Sequence, residues 1–417
     1  MSDTEDYCLL RDEDVVTPLL RMELRKAAQS LILNGVPPEL IAKVFENVSR
    51  KVVKQINKYT VSMEDFDMKD VLSKYFATQL PTQLFESSRS HMANIIVDAV
   101  YASGYDYEDA GPYEIGMDDF DDGFNLIGIK KVLGGCVENS FSVEGIGIVF
   151  KPYVDGFEKL DVVENPEILI INIKPHLNSQ KVKDMSELIL IDILENFENR
   201  HPKVVLTSRA MDEDTKKELA ERCIYFADLV PEDDLDRIAV ATLAKKIFYN
   251  GTYPLRMRIG TCKSFQPKTS GNEVFGIFSG CTRGKAATIV LYGDDQYIEE
   301  AEMYVRDLIP EVRSFMKEHT LVDGRKLYYN LIQYIHEEAD IADEDLKPII
   351  NSFAKAIKVV SESSQNHAIA HGVDTVVWEP PSVKFYAILL AADVVCSQLL
   401  DDDDVDYLKE MMGATSS

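Results

Sequence analysis

Leu19, Leu20, Leu24, Ala27, Ala28, Leu31 and Ile32 recur at the spacing of one helix face and stop at Gly35, the residue that most easily takes a left-handed C-cap. Pro37 and Pro38 open a second helix with Ile41, Val44, Phe45, Val48, Val52 and Ile56 as its apolar stripe, so a helical hairpin is predicted. More helix is expected through Met92–Val100. Between Tyr101 and Asp122 the period is lost, and the mixture of Gly, Asp, Glu and Tyr reads as a solvated acidic loop. From about 128 to 250 short apolar runs (Ile146–Phe150, Ile168–Ile173, Val204–Leu206, Ile224–Phe226) alternate with helical stretches at 184–198, 212–222 and 231–248, which is an α/β pattern. A strand at Ala287–Leu291 precedes a helix with Ile298, Ala301, Tyr304, Val305, Leu308, Val312 and Phe315 on one face and a break expected at Pro310. The remainder, 326–358 and 383–400, is helical. Helical ends around an α/β middle predict a multidomain α+β chain, with an outer domain made from both termini and the rest inserted into it.

Composition narrows the partners. The 417 residues, 46% of them hydrophobic, suffice for roughly two or three domains with cores of their own. Asp and Glu number 71 against 44 Lys and Arg, and the net charge of −27 repels phosphate backbones and anionic lipid heads. Nucleic acid and membrane are therefore not expected as partners. Cys8, Cys136, Cys223, Cys262, Cys281 and Cys396 form no Cys-x-x-Cys pair and no signal peptide precedes them, so a reducing, cytoplasmic location is expected. The longest apolar run, Phe385–Ala392, is too short to span a bilayer and is framed by Lys384 and Asp393.

Most candidate motifs have an ordinary explanation. Gly145-Ile146-Gly147 lacks the third glycine of a dinucleotide turn and reads as packing relief. Gly280-Cys-Thr-Arg-Gly284-Lys285-Ala286 has too short a glycine spacing for a Walker loop, and Ala286 replaces its hydroxyl. His367 and His371 have helical spacing but no further ligand for zinc, and read as loop residues. Lys216, Lys217 and Arg222 read as a solvated helix face. Asp307, between Tyr304 and Leu308 at the margin of an apolar face, could orient a water, although alone it would be an ordinary boundary aspartate.

The surroundings of Asp307 change its reading. Phe278-Ser-Gly280-Cys281, Lys285, the strand Ala287–Leu291, Gly293, Glu299-Glu300-Ala301-Glu302 and Arg306-Asp307 together resemble the passage by which group II chaperonins leave their apical domain. Ile129-Lys130-Lys131-Val132 with Gly134-Gly135, then Val143-Glu-Gly145, resemble the passage into that domain, and Asn165-Pro166 and Val230–Arg237 extend the match. Trp378-Glu379-Pro380 with Val383-Lys384 resembles the nucleotide-side motif, and Gly156-Phe157-Glu158 is similar to eta-type members of the eukaryotic cytosolic ring. The resemblance implies an equatorial domain from 1–73 and 319–417, an intermediate domain from 74–140 and 284–318, and an apical client-gripping domain over 141–283. It implies Asp307 as the water-activating residue, Asp12, Gly324 and Glu379 as nucleotide contacts, and Asp12 as the magnesium ligand. On the helix 212–222 it implies Thr215, Lys216, Glu218, Leu219 and Arg222 as client contacts. ATP and Mg are the implied cofactors; unfolded polypeptides and other subunits of a hetero-oligomeric ring are the implied partners.

The chain also departs from that family. Its Gly-Asp-Gly-Thr-Thr phosphate loop aligns with Arg11-Asp12-Glu13-Asp14-Val15, where only the aspartate is kept, which implies weakened phosphate binding. Only ten residues precede it, the later glycine turn is reduced to Val322-Asp323-Gly324-Arg325, and both Lys174–Pro202 and the stretch from Val360 to Val377 look short. A chaperonin subunit with an impaired ATPase is expected. Two other readings stay open: an ATPase-dead scaffold or client-binding relative, and an incomplete copy of a normal eta-type subunit.

Overall fold

The structure, a computed structural model, describes residues 12–85, 88–104, 126–149, 162–173, 202–249, 259–270, 273–282, 286–370 and 378–401. The chain divides into two compact units, one built from 1–93 with 314–417 and the other from 94–313.

Helix α1 (Asp12–Leu33) begins before the predicted apolar stripe and carries Pro18 inside it. It ends as expected: Gly35 has φ +86°, and Val36 N–H donates to Leu31 O at 3.1 Å, which satisfies a terminal carbonyl. Helix α2 (Pro38–Ile56), with its prolines at the start, buries all six predicted stripe residues. There follow strand β1 (Val61–Ser62), α3 (Met68–Gln79), a single turn α4 (Thr82–Phe85) and α5 (Arg89–Ala102). Tyr101 and Ala102 thus belong to a helix, Ser103 and Gly104 end it, and 105–122 of the predicted acidic loop lie outside the described residues.

The second unit contains β2 (Ile127–Leu133), β3 (Phe141–Glu144), β4 (Ile146–Val149), β5 (Val163–Glu164), β6 (Glu167–Ile173) and β7 (Val204–Thr207). Next come α6 (Glu213–Glu221), β8 (Tyr225–Ala227), α7 (Glu232–Thr242), β9 (Ile247–Tyr249), β10 (Gly260–Ser270), β11 (Glu273–Cys281), β12 (Ala287–Gly293) and α8 (Asp295–Phe315). An eight-stranded sheet has the order β4-β11-β10-β6-β7-β8, with β5 beside β10 and β9 beside β6; a three-stranded sheet has the order β2-β12-β3. Ile146, Ile148, Ile168, Ile170, Val204 and Leu206 face Leu235 and Ile238 of α7 in one core.

The differences from expectation in this unit have local causes. The helix predicted over 231–248 stops at Thr242, where Leu243 turns left-handed (φ 61°), and Ile247-Phe248-Tyr249, strong β-formers, pair in parallel with β6. The hairpin of β10 and β11 was not predicted, because Cys262–Ser270 offers no clean apolar alternation. The helix predicted at 184–198 lies outside the described residues. Pro310 does not end α8, which runs on to Phe315. A proline inside a helix costs about 3 kcal/mol, but burial of Val312 and Phe315 beyond it returns about 1.5–3 kcal/mol each.

The Gly145-Ile146-Gly147 segment lies where the two sheets meet. Gly145 has φ +128°, and a Cβ there would stand 2.3 Å from the carbonyl oxygen of Phe278. The buried Thr288 hydroxyl of β12 accepts from Gly147 N–H at 2.7 Å and donates to Gly145 O at 3.0 Å.

The chain then returns to the first unit through β13 (Thr320–Asp323), α9 (Gly324–Ile341), α10 (Lys347–Ala370), β14 (Trp378–Glu379) and α11 (Pro381–Leu399). Strand β13 lies between β1 and β14, and α1, α2, α9, α10 and α11 share a core around Phe45, Leu331, Phe353 and Ile388. His367 falls within α10 rather than in a loop, and His371 lies outside the described residues. Among the described residues α11 is the one helix long and apolar enough to cross a bilayer, longer than its central apolar run suggested. Here it is a core helix: Ala387, Ile388, Ala391, Ala392, Val395 and Leu399 are buried, and it packs beside α1 and α2.

Candidate functional site

The turn from β13 into α9 brings two predicted residues together. Asp323 is the N-cap of α9, its Oδ1 accepting from Arg325 N–H and Lys326 N–H, each at 3.1 Å. Gly324 follows. Antiparallel β14 pairs Glu379 with Val322 and Trp378 with Asp323, which lays the Glu379 carboxylate over Gly324. A Cβ on Gly324 would stand 2.1 Å from Glu379 Oε1, so a side chain there would displace the carboxylate from this position.

Glu379 is only 9% exposed. Its Oε2 lies 2.6 Å from the ammonium of Lys384, which projects from the start of α11, is 1% exposed, and also sits 5.3 Å from the ring centroid of Tyr328. Burying two charges costs several kcal/mol per ion, recovered only through close pairing. One carboxylate oxygen is thus held by lysine and the other pressed on glycine, a geometry that offers little to a ribose hydroxyl. The sequence set Lys384 in one motif with Glu379 and at the polar edge of an apolar run; that the two side chains pair becomes evident once β14 turns into α11.

At the position of the expected phosphate loop, the backbone from Asp12 to Val15 is the first turn of α1. Arg11 lies outside the described residues. A triphosphate cradle needs amides converging along a tight glycine path; Asp12-Glu13-Asp14-Val15 supplies a regular helix start with three acidic residues and no glycine. The residues present do not fit a magnesium triphosphate there.

Asp307 belongs to the second unit, on an exposed face of α8 beside buried Leu308 and Ile309. One to two turns earlier α8 is strapped to β2: Lys131 Nζ lies 2.7 Å from Glu299 Oε1 and 2.9 Å from Glu302 Oε2. Hydrogen bonds to these carboxylates hold the Lys131 ammonium above its usual range. Burial pushes the Glu302 carboxyl up, but Lys131 and Arg306 outweigh it and leave it below the ordinary range.

Helix α6 divides the predicted client contacts. Asp212 caps it, accepting from Thr215 N–H at 3.0 Å and from the Thr215 hydroxyl at 2.7 Å. Thr215 and Leu219 are buried and face inward. Lys216 is held by Asp228 at 2.8 Å and Glu213 at 3.3 Å, while Glu218 and Arg222 form an ion pair at 2.7 Å on the surface. The outward face, with Glu213, Asp214, Lys217 and Glu221 exposed, is strongly polar. Among the described residues no group of three or more His, Cys, Asp or Glu is placed to hold a metal.

The profile of the TCP-1/cpn60 chaperonin family matches residues 15–363. The chain is 31% identical to T-complex protein 1 subunit eta of Arabidopsis thaliana, over 94% of this chain and 78% of that protein. Against the eta subunit of Dictyostelium discoideum the identity is 26%, over 93% and 76%; against that of Homo sapiens it is 24%, over 96% and 80%. The fold is similar to an open-state monomer of a group II chaperonin from Methanococcoides burtonii, with a TM-score of 0.59, 19% identity, and coverage of 93% of this chain and 99% of that one. A helical unit closed by both chain ends, an inserted unit of two sheets, and similarity running through both make this chain a member of the TCP-1/cpn60 chaperonin family, with a group II chaperonin fold.

Proposed function

We propose that this chain is a subunit of a cytosolic chaperonin ring that binds unfolded polypeptides, assists their ATP-dependent folding beside other subunits, and has an impaired ATPase of its own. In this reading 1–73 and 319–417 form the equatorial part, 74–140 and 284–318 the intermediate part, and 141–283 the apical part. Clients meet the polar outer face of α6 through Glu218 and Arg222, and Asp307 keeps the place of the water-activating residue without a triphosphate to serve. The observation that carries the impairment is the helical, glycine-free backbone of Asp12–Val15 where a phosphate loop belongs. The burial of Glu379 against Lys384 favours a second reading, a scaffold that holds clients without nucleotide at all.

Calorimetric titration of the purified chain with ATP, with and without magnesium, tests the impairment; no measurable heat is expected, and micromolar affinity would overturn it. Size-exclusion chromatography of native extract separates the two readings. Elution with a ring-sized complex supports the subunit, and elution as monomer only supports the scaffold.

A further inference from the structure

Two of the free cysteines in the described structure face one another. Cys262 of β10 and Cys281 of β11 are direct partners in the antiparallel ladder. Directly opposed residues in such a ladder have Cα atoms about 4.5–5.5 Å apart, inside the span of about 4.4–6.8 Å that a disulfide bridges. In the reduced state each thiol donates to a backbone carbonyl of its own strand, Cys262 to Ser264 O at 3.2 Å and Cys281 to Phe278 O at 3.7 Å, so closure exchanges these two contacts for the bond. The ladder omits the pair Lys263 and Gly280, Gly280 is left-handed (φ +61°), and a Cβ on it would stand 2.6 Å from Lys263 Cβ. Past this irregularity Cys262 and Cys281 share the core that holds Phe265 and Phe278. Cys262 is buried and Cys281 is half-buried, so the pair has one accessible member.

We propose that Cys262 and Cys281 form a reversible cross-strand disulfide, a modification site fed by thiol–disulfide exchange with a small disulfide such as oxidised glutathione. The Cys281 thiolate attacks one sulfur of oxidised glutathione; that S–S bond breaks, and the first glutathione leaves and takes up a proton. The Cys262 thiolate then attacks the Cys281 sulfur, forming the bond between the strands and expelling the second glutathione, which is also protonated. Two protein thiols are oxidised and one glutathione disulfide is reduced to two thiols. In a reducing compartment the bond is transient.

Burial sets the rate. It pushes the Cys281 thiol up to about 11 and, with the Cys281 thiol beside it, the Cys262 thiol up to about 12. At pH 7 only about one Cys281 in ten thousand is thiolate, so closure is slow and accelerates about tenfold per pH unit between pH 7 and 9. The closed bond ties β10 to the end of β11, where the chain leaves for β12.

The experiment incubates the native full-length chain with oxidised glutathione, quenches by alkylation, and maps the non-reduced peptides by mass spectrometry. The expected result is a Cys262–Cys281 linkage accumulating with that pH dependence, together with slower amide exchange in β10 and β11. Cys262→Ser should accumulate a glutathione adduct on Cys281, whereas Cys281→Ser should leave Cys262 reduced. The proposal is overturned if both cysteines stay reduced while exposed Cys136 and Cys223 become glutathionylated. It is equally overturned if the linkage forms only after the chain is unfolded in urea.

Discussion

The Lys384–Glu379 pair sets the strongest demand on a single side chain. With Lys384 at 1% exposure, Lys384→Met leaves an uncompensated buried carboxylate and is expected to cost about 3–5 kcal/mol, whereas Lys384→Met with Glu379→Gln should recover most of it. Denaturant midpoints of the two variants check this. A second ion pair is titratable. Glu338 of α9 meets Lys51 of α2 and accepts from the Tyr334 hydroxyl at 2.9 Å. The Lys51 hydrogen bond holds its carboxyl below the ordinary range, against the upward push of burial. A depressed folded pKa means that the stabilisation is complete above the unfolded value of about 4.3 and is lost as the pH falls below it. Glu338→Gln should therefore lower stability by up to about 1 kcal/mol at pH 7 and by less as the pH falls through the acid range, read from urea midpoints at pH 7 and at acid pH. At this scale the sequence was informative wherever a motif spans a few neighbours: Gly324 and Glu379 were singled out by the family resemblance, and the fold brings the two side by side. Lys384 was named in the same motif, but its burial and its pairing with Glu379 were not anticipated, because they depend on the β14–α11 turn rather than on any local pattern.

Helices were the most legible elements, since a 3.6-residue stripe is visible over many residues; α1, α2 and α8 all bury the faces their spacing marks. The errors came at prolines and strands. Pro310 was taken for a stop because its local penalty is read more easily than the burial of Val312 and Phe315 downstream. Its position is exposed, so Pro310→Ala adds a backbone hydrogen bond without disturbing the core. It should raise stability by about 1–3 kcal/mol, measured as a shift in the urea midpoint. Strand β9 and the hairpin of β10 and β11 were missed because their stabilisation comes from partners distant in the chain, β6 for the first and β4 and β6 flanking the second.

The gross plan, helical ends enclosing an α/β middle, was legible because texture changes over a hundred residues survive local errors. The large sheet is self-contained: β4 to β11 all lie within 146–281, with their own core. A fragment of residues 146–282 should therefore show a cooperative thermal transition by near-UV circular dichroism, at a lower temperature than in the full chain because Phe275 and Ile277 lose their apolar cover from Val290 and Tyr292. A featureless melt would contradict it. In the intact chain, the Thr288 hydroxyl serves both an amide and a carbonyl at the meeting of the sheets. Tilting one sheet on the other would strand two polar groups in apolar surroundings, at about 1–3 kcal/mol apiece. Sliding one sheet past the other therefore carries a polar cost on top of the loss of apolar packing, which makes Thr288 a small lock on their mutual register.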